Sequence, residues 1–156
     1  MAKYQKLNEL LILEDLNDAI IELDNFICEL CDYGESLDKL TEQQKIFFFN
    51  QDLEREINNG GFNQYFINSS GDNSHETILS LKSIGADKTA TILQKAIEQF
   101  PNKTVPKDRD ERIEVVEQIE EIADEIWSEL DEKFYEYEDD LNSLNIEYIK
   151  KYKDFF

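Results

Sequence analysis

Residues 58–72, NNGGFNQYFINSSGD, interrupt an otherwise acid-rich chain. This stretch holds three of the five glycines, and the only histidine, His75, follows three residues later. Phe62, Tyr65 and Phe66 lie three and four positions apart, so on a helix they share one face and can enter a core together. Gly60 and Gly61 stand where a preceding helix has to end, and one of them is expected to close it with a left-handed residue. Asn68, Ser69, Ser70, Asp72, Asn73 and Ser74 bond readily to nearby backbone, which suits a turn followed by a helix N-cap. The stretch therefore reads as a structural node, a helix–turn–helix junction at the core's edge. Its members are Gly60, Gly61, Phe62, Gln64, Tyr65, Phe66, Asn68, Gly71 and Asp72. A second reading is a small ligand or partner pocket lined by Asn63, Gln64, Tyr65 and Asn68.

Catalysis has ingredients here in Ser69, Ser70, Asp72 and His75. A serine–histidine–acid triad, however, needs groups brought together in space from separate segments. There is no G-x-S-x-G elbow, no phosphate-cradling loop and no second histidine for a metal pair. The residues point to no enzyme, no cofactor and no metal.

Working outward, the pattern is helical nearly throughout. Upstream, Thr41 with Gln44 forms a capping box for a helix over 42–58. Further back, Leu13, Leu16, Ile20, Leu23, Ile27 and Leu30 recur at three and four residues and predict an acidic helix over 8–33, with Gly34 as its stop. Downstream, helices are expected from Ser74 to Gly85 and from Asp87 to Phe100, where Pro101 blocks continuation. FPNKTVPK is the clearest loop. After Pro106 comes the longest element, with Val116, Ile119, Ala123, Ile126, Leu130, Phe134, Tyr137 and Leu141 on its buried side. A last helix over 143–154 carries Lys150, Lys151 and Lys153 near its C-terminus, where the dipole favours cations. No segment alternates as a strand does. The expectation is a single all-α domain of five to seven helices.

A chain of 156 residues with 40% hydrophobic and 12% aromatic residues has material for a packed core. Its opening apolar run is cut by Glu14 and Asp15, too short for a signal peptide or spanning helix, so the cytoplasm is the expected compartment. Cys28 and Cys31 form a lone C-x-x-C inside a helical pattern, without the context of a redox or zinc site, and read as buried thiols.

The formal net charge is −20, which argues against membranes and nucleic acid and favours partners with basic faces. A plain solubility role, or a salty habitat, would produce the same acidity. The charge is unevenly placed. Residues 9–42 carry eleven acids and one base, residues 43–107 seven of each, and residues 108–140 sixteen acids and three bases. At about 1.5 Å per helical residue, the last block displays a carboxylate every ~3 Å. One strand of DNA spaces its phosphates about 3.4 Å apart. Asp110, Glu114, Glu117, Glu121 and Asp124 form one stripe, and Glu125, Glu129 and Glu132 continue beside it. The candidate partner-binding residues are Glu114, Glu117, Glu121, Asp124, Glu125 and Glu129, with Asp15, Asp18 and Glu22 as a second patch.

The run NGGFNQYFINSSGD, followed by Glu76, IGADKTATIL at 84–93, Phe100–Pro101 and LDEKFY at 130–135, resembles the signature of a bacterial family, the C-terminal domain of DNA mimic protein 19, otherwise a domain of unknown function. The resemblance spans roughly residues 40–137 and leaves the N-terminal acidic helix outside. It implies an all-helical fold, no known enzyme activity and, for the member that names the family, imitation of DNA by surface carboxylates. The partner so implied is a basic, DNA-binding protein such as a transcription factor. A homodimer is a separate expectation for the assembly. Two alternatives stay open: an immunity- or antitoxin-like inhibitor of a basic nuclease, and a helical scaffold with a small pocket at NGGFNQYF whose acidity is incidental.

Overall fold

A computed structural model describes residues 2–156. Those residues are all-α, with seven α-helices, short 3₁₀ turns and no strand among them. The helices are α1 (Leu7–Leu10), α2 (Leu16–Leu30), α3 (Glu42–Ile67), α4 (Ser74–Ser83), α5 (Asp87–Ile97), α6 (Arg109–Tyr135) and α7 (Leu141–Lys151). Among the described residues they group into two compact units, residues 2–48 with 140–156, and residues 49–139.

In the first unit α2 packs on α7. Leu23, Ile27, Cys28 and Cys31 of the α2 segment are buried, as are Ile146, Ile149 and Phe156. The cysteines are reduced thiols that pack as apolar residues, Cys31 donating weakly to the Cys28 carbonyl. Here the predicted N-terminal boundary is corrected. The helix starts at Leu16, because Asp15 caps it by accepting the Asn17 N–H at 2.9 Å. Leu13 therefore falls ahead of the helix and is 42% exposed. The start of α3 follows the expected capping box: Gln44 N–H donates to Thr41 Oγ1 at 3.0 Å and Thr41 N–H to Gln44 Oε1 at 2.9 Å.

In the second unit the later part of α3 joins α4, α5 and α6. α5 packs against both α4 and α6. Phe62, Tyr65, Phe66, Phe100 and Trp127 are all buried. The Phe66 ring sits 4.8 Å from Phe100 and 5.2 Å from Trp127, centroid to centroid. The Trp127 indole N–H donates to the Ala96 carbonyl at 3.1 Å, so the largest core side chain also satisfies its polar edge. The buried side of α6 includes Val116, Ala123, Leu130 and Phe134 as expected. It does not continue to Tyr137 and Leu141. The helix stops at Tyr135, Tyr137 takes positive φ (47°), and Leu141 opens α7.

Candidate functional site

The helix expected to end near residue 58 instead kinks at Gly61 and resumes to Ile67. Gly61 has φ 73° and ψ −171°. Its φ is positive, but its ψ is extended, a combination open only to glycine. The expected left-handed cap is corrected accordingly. The resumed helix needs a cap of its own, and α6 supplies it. Asp131 accepts the Phe62 N–H at 2.9 Å. A Cβ on Gly61 would lie 2.2 Å from the Asp131 carboxylate, so the same position needs glycine twice over. Burial pushes Asp131 up to about 6, against the Phe62 hydrogen bond, with Glu132 and Asp124 adding repulsion.

After Ile67 the NSSGD turn is gathered around Arg112 of α6. This side chain has no exposed surface. Its guanidinium donates to Phe66 O at 2.6 Å, Asn68 O at 2.9 Å, Pro106 O at 2.8 Å, Lys107 O at 3.0 Å and Asp72 Oδ1 at 2.6 Å. Five contacts match the five donors of an arginine, so no donor of this buried guanidinium is left unpaired. A Cβ on Gly71 would come within 2.5 Å of Arg112 Nε and 2.9 Å of the Phe66 carbonyl, which is why that residue has no side chain. Ser70 donates to Tyr65 O at 2.7 Å, and His75 Nε2 accepts the Val105 N–H at 3.1 Å.

Of the residues in the pocket reading, Gln64 and Asn68 give their side-chain amides to Glu56, at 2.8 and 2.9 Å, Tyr65 is buried and Asn63 is partly exposed. Tyr135 adds a hydrogen bond to Ile57 O at 2.9 Å. All the node residues named from the sequence, Gly60 apart, take part in this packing or bonding. Gly60 is exposed without positive φ, and its constraint is closeness to the Gln64 side chain.

The acidic residues are arranged differently. Glu114, Glu117, Glu121, Asp124, Glu125 and Glu129 are all exposed on α6. At 3.6 residues per turn they centre opposite the buried stripe of Val116, Ala123, Trp127 and Leu130. Asp110, Glu111, Glu120 and Glu132 extend the exposed set. No ion pair between described residues involves any of these acids. Of the three bases in residues 108–140, Arg112 is turned into the core, Arg109 donates to the Ile67 carbonyl at 2.9 Å, and Lys133 is exposed in the last turn of α6. The second patch belongs to the first unit. Asp15 and Asp18 are exposed, Asp15 while capping α2, and Glu22 accepts the Tyr4 hydroxyl.

Sequence reasoning missed Arg112, Asp131, Glu56 and Trp127. One signal was available: an arginine inside the buried register of an amphipathic helix must find carbonyls or carboxylates. No group of three or more histidine, cysteine or acidic side chains is arranged for a metal ion among the described residues. No helix among them is long and apolar enough to cross a membrane.

A family model described as DMP19-like protein matches residues 38–152. The chain belongs to the DMP19-like protein family. The match begins just before α3 and runs to the end of α7, past the LDEKFY run where the resemblance in sequence stopped. It includes both the Arg112 node and the acidic face of α6, and α1 and α2 precede it. No curated protein and no solved structure gave a significant match to this DMP19-like chain.

Proposed function

We propose that the protein is a binding module without enzymatic activity that offers α6 as a carboxylate array to a basic, DNA-binding protein and competes with DNA for it. The observation that carries this reading is the exposed acid face of α6, whose neighbouring arginines are spent on buried or backbone contacts. Membership of the DMP19-like family supports it. The 27 residues of α6 carry ten exposed acids, so at about 1.5 Å per residue the helix offers a cationic groove a carboxylate every ~4 Å, close to the ~3.4 Å phosphate spacing of one DNA strand.

The test has two steps. A pull-down from the native cytoplasm at low and high salt identifies proteins held by charge. The recovered partner is then titrated on its DNA with the wild-type chain and with a combined Glu→Gln change at Glu114, Glu117, Glu121 and Glu125. Wild type displaces DNA at low salt, and displacement fades as screening shortens to about 3 Å at 1 M. The quadruple variant fails to displace it. Undiminished displacement by that variant sinks the reading. Recovery of a nuclease whose cleavage is blocked supports the inhibitor alternative.

A further inference from the structure

A surface that only imitated DNA would have no use for exposed apolar side chains, yet Ile122 lies on α6 among the acids with 77% of its surface exposed. Val115, Ile119 and Ile126 are partly exposed on the same helix. These four follow a four–three–four spacing, the seam of a coiled coil over about three turns. Glu111, Glu125 and Glu132 recur at sevens along one edge of that seam, interrupted by Gln118, and all three acids are exposed.

We propose that this seam is a docking site for an amphipathic helix of a partner protein, apolar along its seam and lysine- or arginine-rich along its edge. Charge decides the occupant. A second copy of α6 running antiparallel would set Glu111, Glu125 and Glu132 against acids of the same kind, and a parallel copy would need the opposite edge, Val116, Ala123 and Leu130, which is buried. A basic edge meets them with opposite charge, and the apolar seam supplies contact that salt does not screen. The inference goes beyond competition with DNA, since it concerns the apolar part of the face and the shape of what sits on it.

The probe is a synthetic helical peptide with leucines at seam positions and lysines beside them, paired with a scrambled peptide of identical composition. Binding to the full chain is followed by fluorescence anisotropy at 0.15 M and 0.5 M salt. The patterned peptide is expected to bind at least about tenfold more tightly than the scrambled one. Ile122→Ser should weaken it at both salt concentrations. Glu111→Gln with Glu132→Gln should weaken it mainly at the lower one. Circular dichroism of each variant confirms that α6 is intact. Equal binding of the two peptides, or an unchanged Ile122→Ser, overturns the proposal. So does a concentration-dependent dimer that Ile122→Ser dissolves, because the seam would then belong to a second copy. None of the residues substituted here is in the quadruple variant and no DNA is present, so this assay and the DNA-displacement assay fail separately.

Discussion

A single arginine gathers the polar groups around one turn of the second unit. Arg112 ties the end of α3, the turn after it and the loop before α6 through five hydrogen bonds from one buried group. Arg112→Lys keeps the charge but offers three donors in place of five and loses the planar fork. We expect it to destabilise the protein by about 1–3 kcal/mol for each buried carbonyl left without its donor, and urea denaturation will measure it. An unchanged midpoint would falsify the clamp. Asp131 makes a different prediction. Its pKa in the folded chain, about 6, lies above the ordinary 3.8. Folding therefore favours its protonated form. Stability from this group is full below pH 4 and is lost as pH rises towards and through 6. Asp131→Asn keeps an acceptor for the Phe62 N–H and removes the charge. Its stability relative to wild type should rise between pH 4 and 7 and level off above, read from urea midpoints at each pH. A constant difference across that range would mean that Asp131 is as easily ionised folded as unfolded. Gly61→Ala should cost about 1–3 kcal/mol through its disfavoured backbone conformation, and more through the clash with Asp131.

Among the elements, α6 shows what local pattern reveals and what it hides. Its acid stripe was legible, because exposure follows from a helical period of 3.6 and the apolar residues declare the opposite side. The capping box of Thr41 and Gln44 was legible for the same reason, its two members being three residues apart. Arg112 and Asp131 were not. The partners of Arg112 in the node lie 40 to 46 positions away, and that of Asp131 lies 69 away. No local pattern distinguishes such residues from the exposed charges beside them. The kink at Gly61 was half legible, as two glycines announce a break without saying that another helix will cap the segment resuming at Phe62. The stripe also carries a stability prediction. Glu114, Glu117, Glu121 and Glu125 stand three or four apart in succession, so each neighbouring pair repels by about 0.2–0.5 kcal/mol. Glutamine has similar helix propensity. The quadruple Glu→Gln variant should therefore be at least as stable as wild type and slightly more so at low salt. A melting temperature well below wild type would show that these carboxylates have structural bonds of their own.

At the scale of the whole molecule, a net charge of −20 works against compactness through self-repulsion. Raising sodium chloride from low to physiological strength should stabilise the chain, and each 1 kcal/mol gained appears as about 2–4 °C in the thermal midpoint. A midpoint independent of salt would mean that the carboxylates are spread widely enough not to sense one another. The Asp131 cap on Phe62 has a further consequence, which concerns the order of events rather than the finished fold. The helical piece from Phe62 to Ile67 is too short to persist alone in water. Its first donor is satisfied by a residue that the ribosome adds 69 positions later. During synthesis the FNQYF segment therefore waits, with its aromatic face uncovered, until α6 has emerged. Once folded, the Phe62 amide should exchange its hydrogen only when α6 lets go, as slowly as the most protected amides of that unit, although it sits at a helix start where fraying is the rule.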